Sequence, residues 1–212
     1  MTSTPAEQSL IREAAEWRLI ELLFACPSKS NLEQIRALAA EVQDEDLRDA
    51  ARTAADEASE GVYHSIFGPG GPAPGREASY QGTLQLGHLI SELKAYYDAF
   101  AYTPTSSEPL DHVSVEAGFL GFLRLKQAFA VSRAADEEAE VTARAVEDFL
   151  RTHLSHIAEP LSTALDWSGS SYLALVGRAL LRRVGPRPKQ MFDILDQAAG
   201  ESDAGAFPCG EA

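Results

Sequence analysis

Apolar residues recur at spacings of three and four along most of the chain, the period of helices with one buried face. Leu10, Ala14, Trp17 and Phe24 share such a face behind Thr4-Pro5-Ala6-Glu7, a capping box with proline at the first helical position. Cys26-Pro27-Ser28 stops that helix. Ser30-Asn31-Leu32-Glu33 is a second capping box, and Leu32, Ile35, Leu38, Ala39 and Val42 mark the stripe it opens. Leu47, Ala51, Ala54, Ala58 and Val62 keep a single register from Asp44–Asp46 into Tyr63, Ile66 and Phe67. Gly68-Pro69-Gly70-Gly71-Pro72-Ala73-Pro74-Gly75 breaks the pattern. A helix from about Thr83 to Ala101 carries Leu86, Leu89, Leu93, Tyr96 and Phe100 as its buried stripe. The polar connector Thr103–Ser107 leads into a long apolar helix ending near Ser132. Asp136-Glu137-Glu138 opens the next helix with the charge its N-terminus favours. Val141, Ala145, Phe149 and Ile157 mark its face, and Pro160 should end or kink it. After a turn at Asp166–Ser170, Tyr172, Leu175, Val176, Ala179 and Leu180 form the last long stripe, ended by Gly185-Pro186. Met191–Leu195 has room for one short helix, and Gly200–Ala212 has no period.

No alternating strand pattern and no internal repeat interrupts this sequence of helices. The expected fold is all-α: a single-domain bundle of about seven to nine helices, mostly antiparallel neighbours. Residues 1–200 form the domain, 102–110 its connector and candidate hinge, and 201–212 a flexible tail. A hinged bundle of this kind is compatible with a monomer or a domain-swapped dimer.

The centre of interest is Glu108-Pro109-Leu110-Asp111-His112, directly before the apolar helix. Pro109 suits a first helical turn, which places Asp111 among free backbone N–H groups. His112, Glu116 and Phe119 then share one helix face. Gly118 and Gly121, inside this helix, cost about 1 kcal/mol each against alanine and imply a close approach by another helix or a peptide.

The net charge of −14 argues against nucleic acid as a partner and fits a basic one, or simply solubility. No apolar run is long enough to span a bilayer, and the N-terminus lacks a secretory signal, so the expected location is the cytoplasm. Cys26 and Cys209 lack metal-site spacing and are expected to be reduced thiols. The glycine-rich loop is followed by no Lys-Ser/Thr pair, and its prolines remove donors that a phosphate needs. His112 with Glu116, and His153 with His156, offer at most pairs of metal ligands. Of the two histidines in the second pair, one is expected to face the core and one solvent. Trp17 and Trp167 read as core or cap residues, and Arg182, Arg183, Arg187 and Lys189 as a basic helix C-terminus. No nucleophile, metal or cofactor motif emerges, so neither a catalytic residue nor a cofactor is assigned.

Glu-Pro-x-Asp-His before an apolar helix resembles the signature of the TorD-like chaperones of molybdenum-cofactor oxidoreductases. Tyr63-x-x-x-Phe67-Gly68-Pro69 and Ser79-Tyr80 upstream fall in the same order as in that family. Phe149-Leu150-x-x-His153-Leu154 and Tyr172-Leu173-Ala174-Leu175 do so downstream. Arg76 and Glu77 depart from it, standing in a loop that is richer in proline among relatives. The resemblance implies a chaperone that binds the twin-arginine signal peptide or N-terminal region of a molybdopterin oxidoreductase catalytic subunit. It holds that client for cofactor insertion before export or assembly. By matching position it puts Glu108, Pro109, Asp111 and His112 at the mouth of the client site, with Tyr63 and Phe67 lining it, supporting it, or packing in the core; Glu116, on the same helix face as His112, is counted with the client-binding residues. Asp111 as a plain helix cap is a rival reading. Two other functions stay open: an accessory subunit retained in the oxidoreductase, and a metal-dependent hydrolase using His112, Glu116, His153 and His156.

Overall fold

The computed structural model describes residues 4–82 and 86–187. The expectations for Thr83, Lys189, Met191–Leu195, Cys209 and the 201–212 tail lie outside those residues. Within them the fold is all-α, with no strand and one isolated antiparallel bridge, Arg76 to His112. The helices are α1 Pro5–Phe24, α2 Lys29–Ala39, α3 Glu45–Glu57, α4 Glu60–Phe67, α5 Leu86–Ala99, α6 Val113–Ser132, α7 Asp136–Phe149, α8 Ser155–Asp166 and α9 Ser171–Val184.

The apolar helix α6 is the centre of the bundle. Most of its first half is buried, from Val113 through Gly121. Its main partner is α1, which runs antiparallel to it, with α7 packed on another side; α3 and α8 pack on α9. Gly121 lets the α1 backbone come close, since an added methyl would sit 3.3 Å from the Ala14 carbonyl oxygen. The core includes Trp17, Leu19, Leu23, Leu93, Phe119, Phe149, Leu161 and Tyr172. Phe119 meets both Tyr97 and Phe149 edge to face there, each at a ring-centroid distance of 4.9 Å, while Tyr97 and Phe149 lie tilted to one another.

Several boundaries differ from the sequence reading, each for a local reason. The Thr4 capping box forms as expected. At α2 the cap is Ser28, whose hydroxyl accepts the Asn31 N–H, so the helix starts before Ser30. The expected continuous helix from Asp44 to Phe67 is broken at Ala58-Ser59, where Ser59 caps α4 by accepting the Val62 N–H. Leu86 is exposed rather than part of the α5 stripe. Ala101, in the left-handed region at φ 55°, turns the chain out of α5 into the connector. Pro160 lies inside α8 and does not end it; the break in this long helical run is a π-helical turn at Leu150–Leu154 instead. Trp17 is core and Trp167 is the C-cap of α8, as expected, with its side chain 86% exposed. No helix among the described residues is long and apolar enough to cross a membrane.

Candidate functional site

Pro109 and Asp111 are not in a helix. α6 starts at Val113, and the cap is the imidazole of His112, whose Nδ1 accepts the Ser114 N–H at 3.3 Å. The reason is the preceding segment. The end of the Gly/Pro loop runs antiparallel to residues 111–113, with Val113 N–H donating to the Gly75 carbonyl and Glu77 N–H to the Asp111 carbonyl, both at 2.8 Å. That pairing holds His112 extended (φ −83°, ψ 136°) at the end of a turn in which its N–H donates to the Pro109 carbonyl at 3.0 Å, and the Asp111 and His112 side chains leave in different directions.

On one side, Asp111 is fully buried and already paired. The Arg76 guanidinium approaches it through Nε (3.0 and 3.1 Å) and Nη2 (2.9 Å), and the Ala78 N–H lies 3.4 Å from Oδ2. Next to this pair lie Glu77 and Glu116. Glu77 accepts from Gln81 and faces His153 Nδ1 at 3.1 Å, both of them buried. Glu116 is sealed in the core beside Glu77, where its carboxyl, when protonated, has the Glu77 carboxylate as its hydrogen-bond partner. Burial first, then the Glu77 and Asp111 carboxylates, push its carboxyl well above the usual range, so it is held neutral.

On the other side lies His112. With Nδ1 accepting from Ser114, the neutral ring carries its proton on Nε2, which faces the Tyr63 hydroxyl at 3.4 Å. Tyr63 in turn donates to Glu108 Oε1 at 2.7 Å. Burial holds His112 down at about 4 against the pull of Glu108 and Asp111, so the ring is neutral at physiological pH. Tyr63 and Phe67 pack against the ring, at centroid distances of 6.4 and 6.0 Å. Gly75 makes room for it: a methyl there would collide with Nε2. The chain of contacts therefore runs outward from Ser114 through His112 and Tyr63 to Glu108.

Glu108 is the end of that chain that meets an opening. It lines a polar hollow of about 240 Å³ together with Arg18, Glu21, Cys26, Asn31 and the connector residues Thr105 to Ser107. Pro109 is exposed, Tyr63 buried and Phe67 partly buried. Of the seven residues expected at a client site, then, Glu108 and Pro109 reach the surface and Phe67 does so in part. Asp111, His112, Glu116 and Tyr63 are interior and act behind the rim. His153 is buried as expected of one of the pair, whereas His156 is half-buried with its Nδ1 turned inward rather than to solvent. Among the described residues no three His, Cys, Asp or Glu side chains are grouped to hold a metal ion.

Sequence reasoning missed Arg18 and Glu21, which the fold brings beside Glu108 from α1. It also missed the roles of Arg76 and Glu77, which it registered only as departures from a family pattern. Arg18 and Glu21 pair locally, three residues apart, but nothing in that spacing brings Glu108 beside them, and Arg76 and Glu77 meet Asp111 and His153 from far along the chain.

A comparison with curated proteins found no match. A family model described as nitrate reductase delta subunit matches residues 35–161, more than half of the chain, from within α2 to within α8 and across the whole motif. The chain therefore belongs to the nitrate reductase delta subunit family, the TorD-like family of molybdoenzyme maturation chaperones.

Proposed function

We propose that this protein is a cytoplasmic client-specific chaperone of a molybdopterin oxidoreductase. It binds the twin-arginine signal peptide or N-terminal region of the catalytic subunit and holds it during cofactor insertion. The observation that supports a gripping site at the motif is Glu108: its carboxylate borders an open hollow while the buried Tyr63 hydroxyl fixes one of its oxygens. A carboxylate oriented from behind is suited to charge-assisted pairing with a client arginine. Asp111, His112 and Glu116 serve as positioning residues. Asp111 holds the Gly/Pro loop through Arg76, His112 passes the fixed geometry on to Tyr63, and Glu116 fills the interior without charge. No bond is made or broken here; the work is recognition.

Co-expression with a molybdopterin oxidoreductase catalytic subunit tests this. Affinity-tagged chain is expected to capture the full-length subunit and to lose it when the subunit's N-terminal region is removed. Glu108→Gln should weaken capture several-fold. Recovery of the chain in fixed ratio with active, cofactor-loaded enzyme would instead make it an accessory subunit and overturn the chaperone reading.

A further inference from the structure

The motif leaves one large surface feature unexplained: an apolar groove along the α1–α6 pair. Two adjoining hollows of about 390 and 420 Å³ share Ile11, Phe122 and Leu125 as walls. The second runs on into the polar hollow at Glu108, sharing Arg18, Glu21 and Thr105 with it. Large apolar side chains stand out along this line, with Ile11 43%, Leu125 56% and Phe129 60% exposed. The floor is kept low by Ala14, Ala15, Gly118 and Gly121. From Gly118 to Phe129 the groove follows roughly 16 Å of α6, the length of about three helical turns.

Glu21 sits where the apolar groove meets its polar end. It is only 7% exposed. Gly118 creates the recess it occupies, since a methyl there would lie 2.7 Å from the Glu21 Cδ and 2.6 Å from the Tyr102 hydroxyl. Burial raises the Glu21 carboxyl, and Arg18 opposes that through an ion pair and hydrogen bond. Arg18 itself is not locked in place: its side chain is partly exposed, and its other contact is a 3.0 Å hydrogen bond to Gln34 on α2.

We propose that this groove seats a helical client segment with leucine-type side chains on one face and an arginine at its polar end, and that this arginine displaces Arg18 from Glu21. The proposal rests on the chaperone reading above and adds the seat and the polarity of the client. Arg18 is a place-holder. In the free chain it compensates a nearly buried carboxylate, which would be costly if left unpaired. In the complex it swings out to solvent, and the client's guanidinium lies between Glu21 and Glu108. Charge complementarity selects this occupant: the chain carries −14, so a second copy would meet like charge, whereas a cationic apolar helix would not.

Two synthetic helix-forming peptides test the idea, one with Arg-Arg ahead of a leucine/alanine stretch and one with Gln-Gln in its place. Calorimetric titration of the wild-type chain should favour the arginine peptide by about tenfold. Glu21→Gln should cut that preference several-fold, and Glu21→Gln combined with Glu108→Gln should abolish it. Arg18→Gln should tighten the arginine peptide by roughly fivefold and leave the glutamine peptide unchanged. Replacing Ile11 and Leu125 together by serine should weaken both peptides by about tenfold or more. Thermal melts of each variant show that the fold is kept. A preference left at its wild-type size by Glu21→Gln, or weaker binding of the arginine peptide in Arg18→Gln, overturns the proposal. So does light scattering that shows a wild-type dimer dispersed by the Ile11/Leu125 variant, which makes a second copy the occupant. If the wild-type chain captures a catalytic subunit and the groove variants capture it equally well, the groove assignment falls and the chaperone reading stands. If the wild-type chain captures no subunit through its N-terminal region, the chaperone reading itself falls.

Discussion

Asp111 and His112 are adjacent in sequence and opposite in surroundings. The turn at Pro109–His112 sends one toward Arg76 and the other toward Tyr63, Phe67 and Gly75. Their titration follows from that. Between about pH 6.5 and 4 the unfolded chain takes up a proton at His112 that the folded chain refuses, so acidification over this window destabilises the fold by up to about 3 kcal/mol. Glu116 acts in the other direction. Its unfolded carboxyl releases a proton near 4.5 while the folded one retains it, so stability falls as pH rises above that value. Melting temperature measured against pH should therefore fall on both sides of an optimum. Glu116→Gln should flatten the alkaline side and uncover a fall with acidification between about pH 6.5 and 4.5, where the two residues otherwise offset each other. The identity of these residues was legible in the sequence, but their placement was not. Pro109 and Asp111 fit a helix start well on local rules. What overrides those rules is the pairing with residues 75–77, more than thirty positions earlier, and no spacing rule connects the two segments.

Elements were legible where the signal lies within a turn or two. The Thr4–Glu7 box, the acidic start of α7 and the Gly185 stop of α9 are all local, and each lies where the pattern put it. The α3–α4 break was hidden because the apolar register from Leu47 to Val62 continues through it. Ser59 is the residue that interrupts the helix, by turning its hydroxyl to the Val62 N–H. Ser59→Ala should cost about 1 kcal/mol in urea unfolding. Because α4 carries Tyr63, the same change should also loosen the hydrogen bond that orients Glu108. The near-fusion of α7 and α8 was misread for a related reason. Proline is a strong signal for a stop, but Pro160 sits in a helix whose Leu161 and Leu165 are fully buried, and tertiary packing keeps it helical.

For the molecule as a whole, the all-α class followed from periodicity and attention to α6 from the motif at its start, whereas the partners of each helix followed from neither. The basic end of α9 illustrates the gap. Arg182 and Arg183 suited a helix C-terminus on local grounds. In the fold they reach across to Asp44 and Asp46 at the start of α3 and to Glu16 on α1, tying three helices together. The groove is likewise a property of two helices separated by most of the first half of the chain. The two indoles give this architecture an optical handle. Trp17 is 4% exposed and lies beneath the groove, its Cβ facing Gly121, while Trp167 stands in water. Trp167→Phe would leave a single emitter with a blue-shifted spectrum, which should move to the red only as the fold melts. Its intensity should respond when a segment settles overhead, so one fluorescence channel can follow both melting and docking.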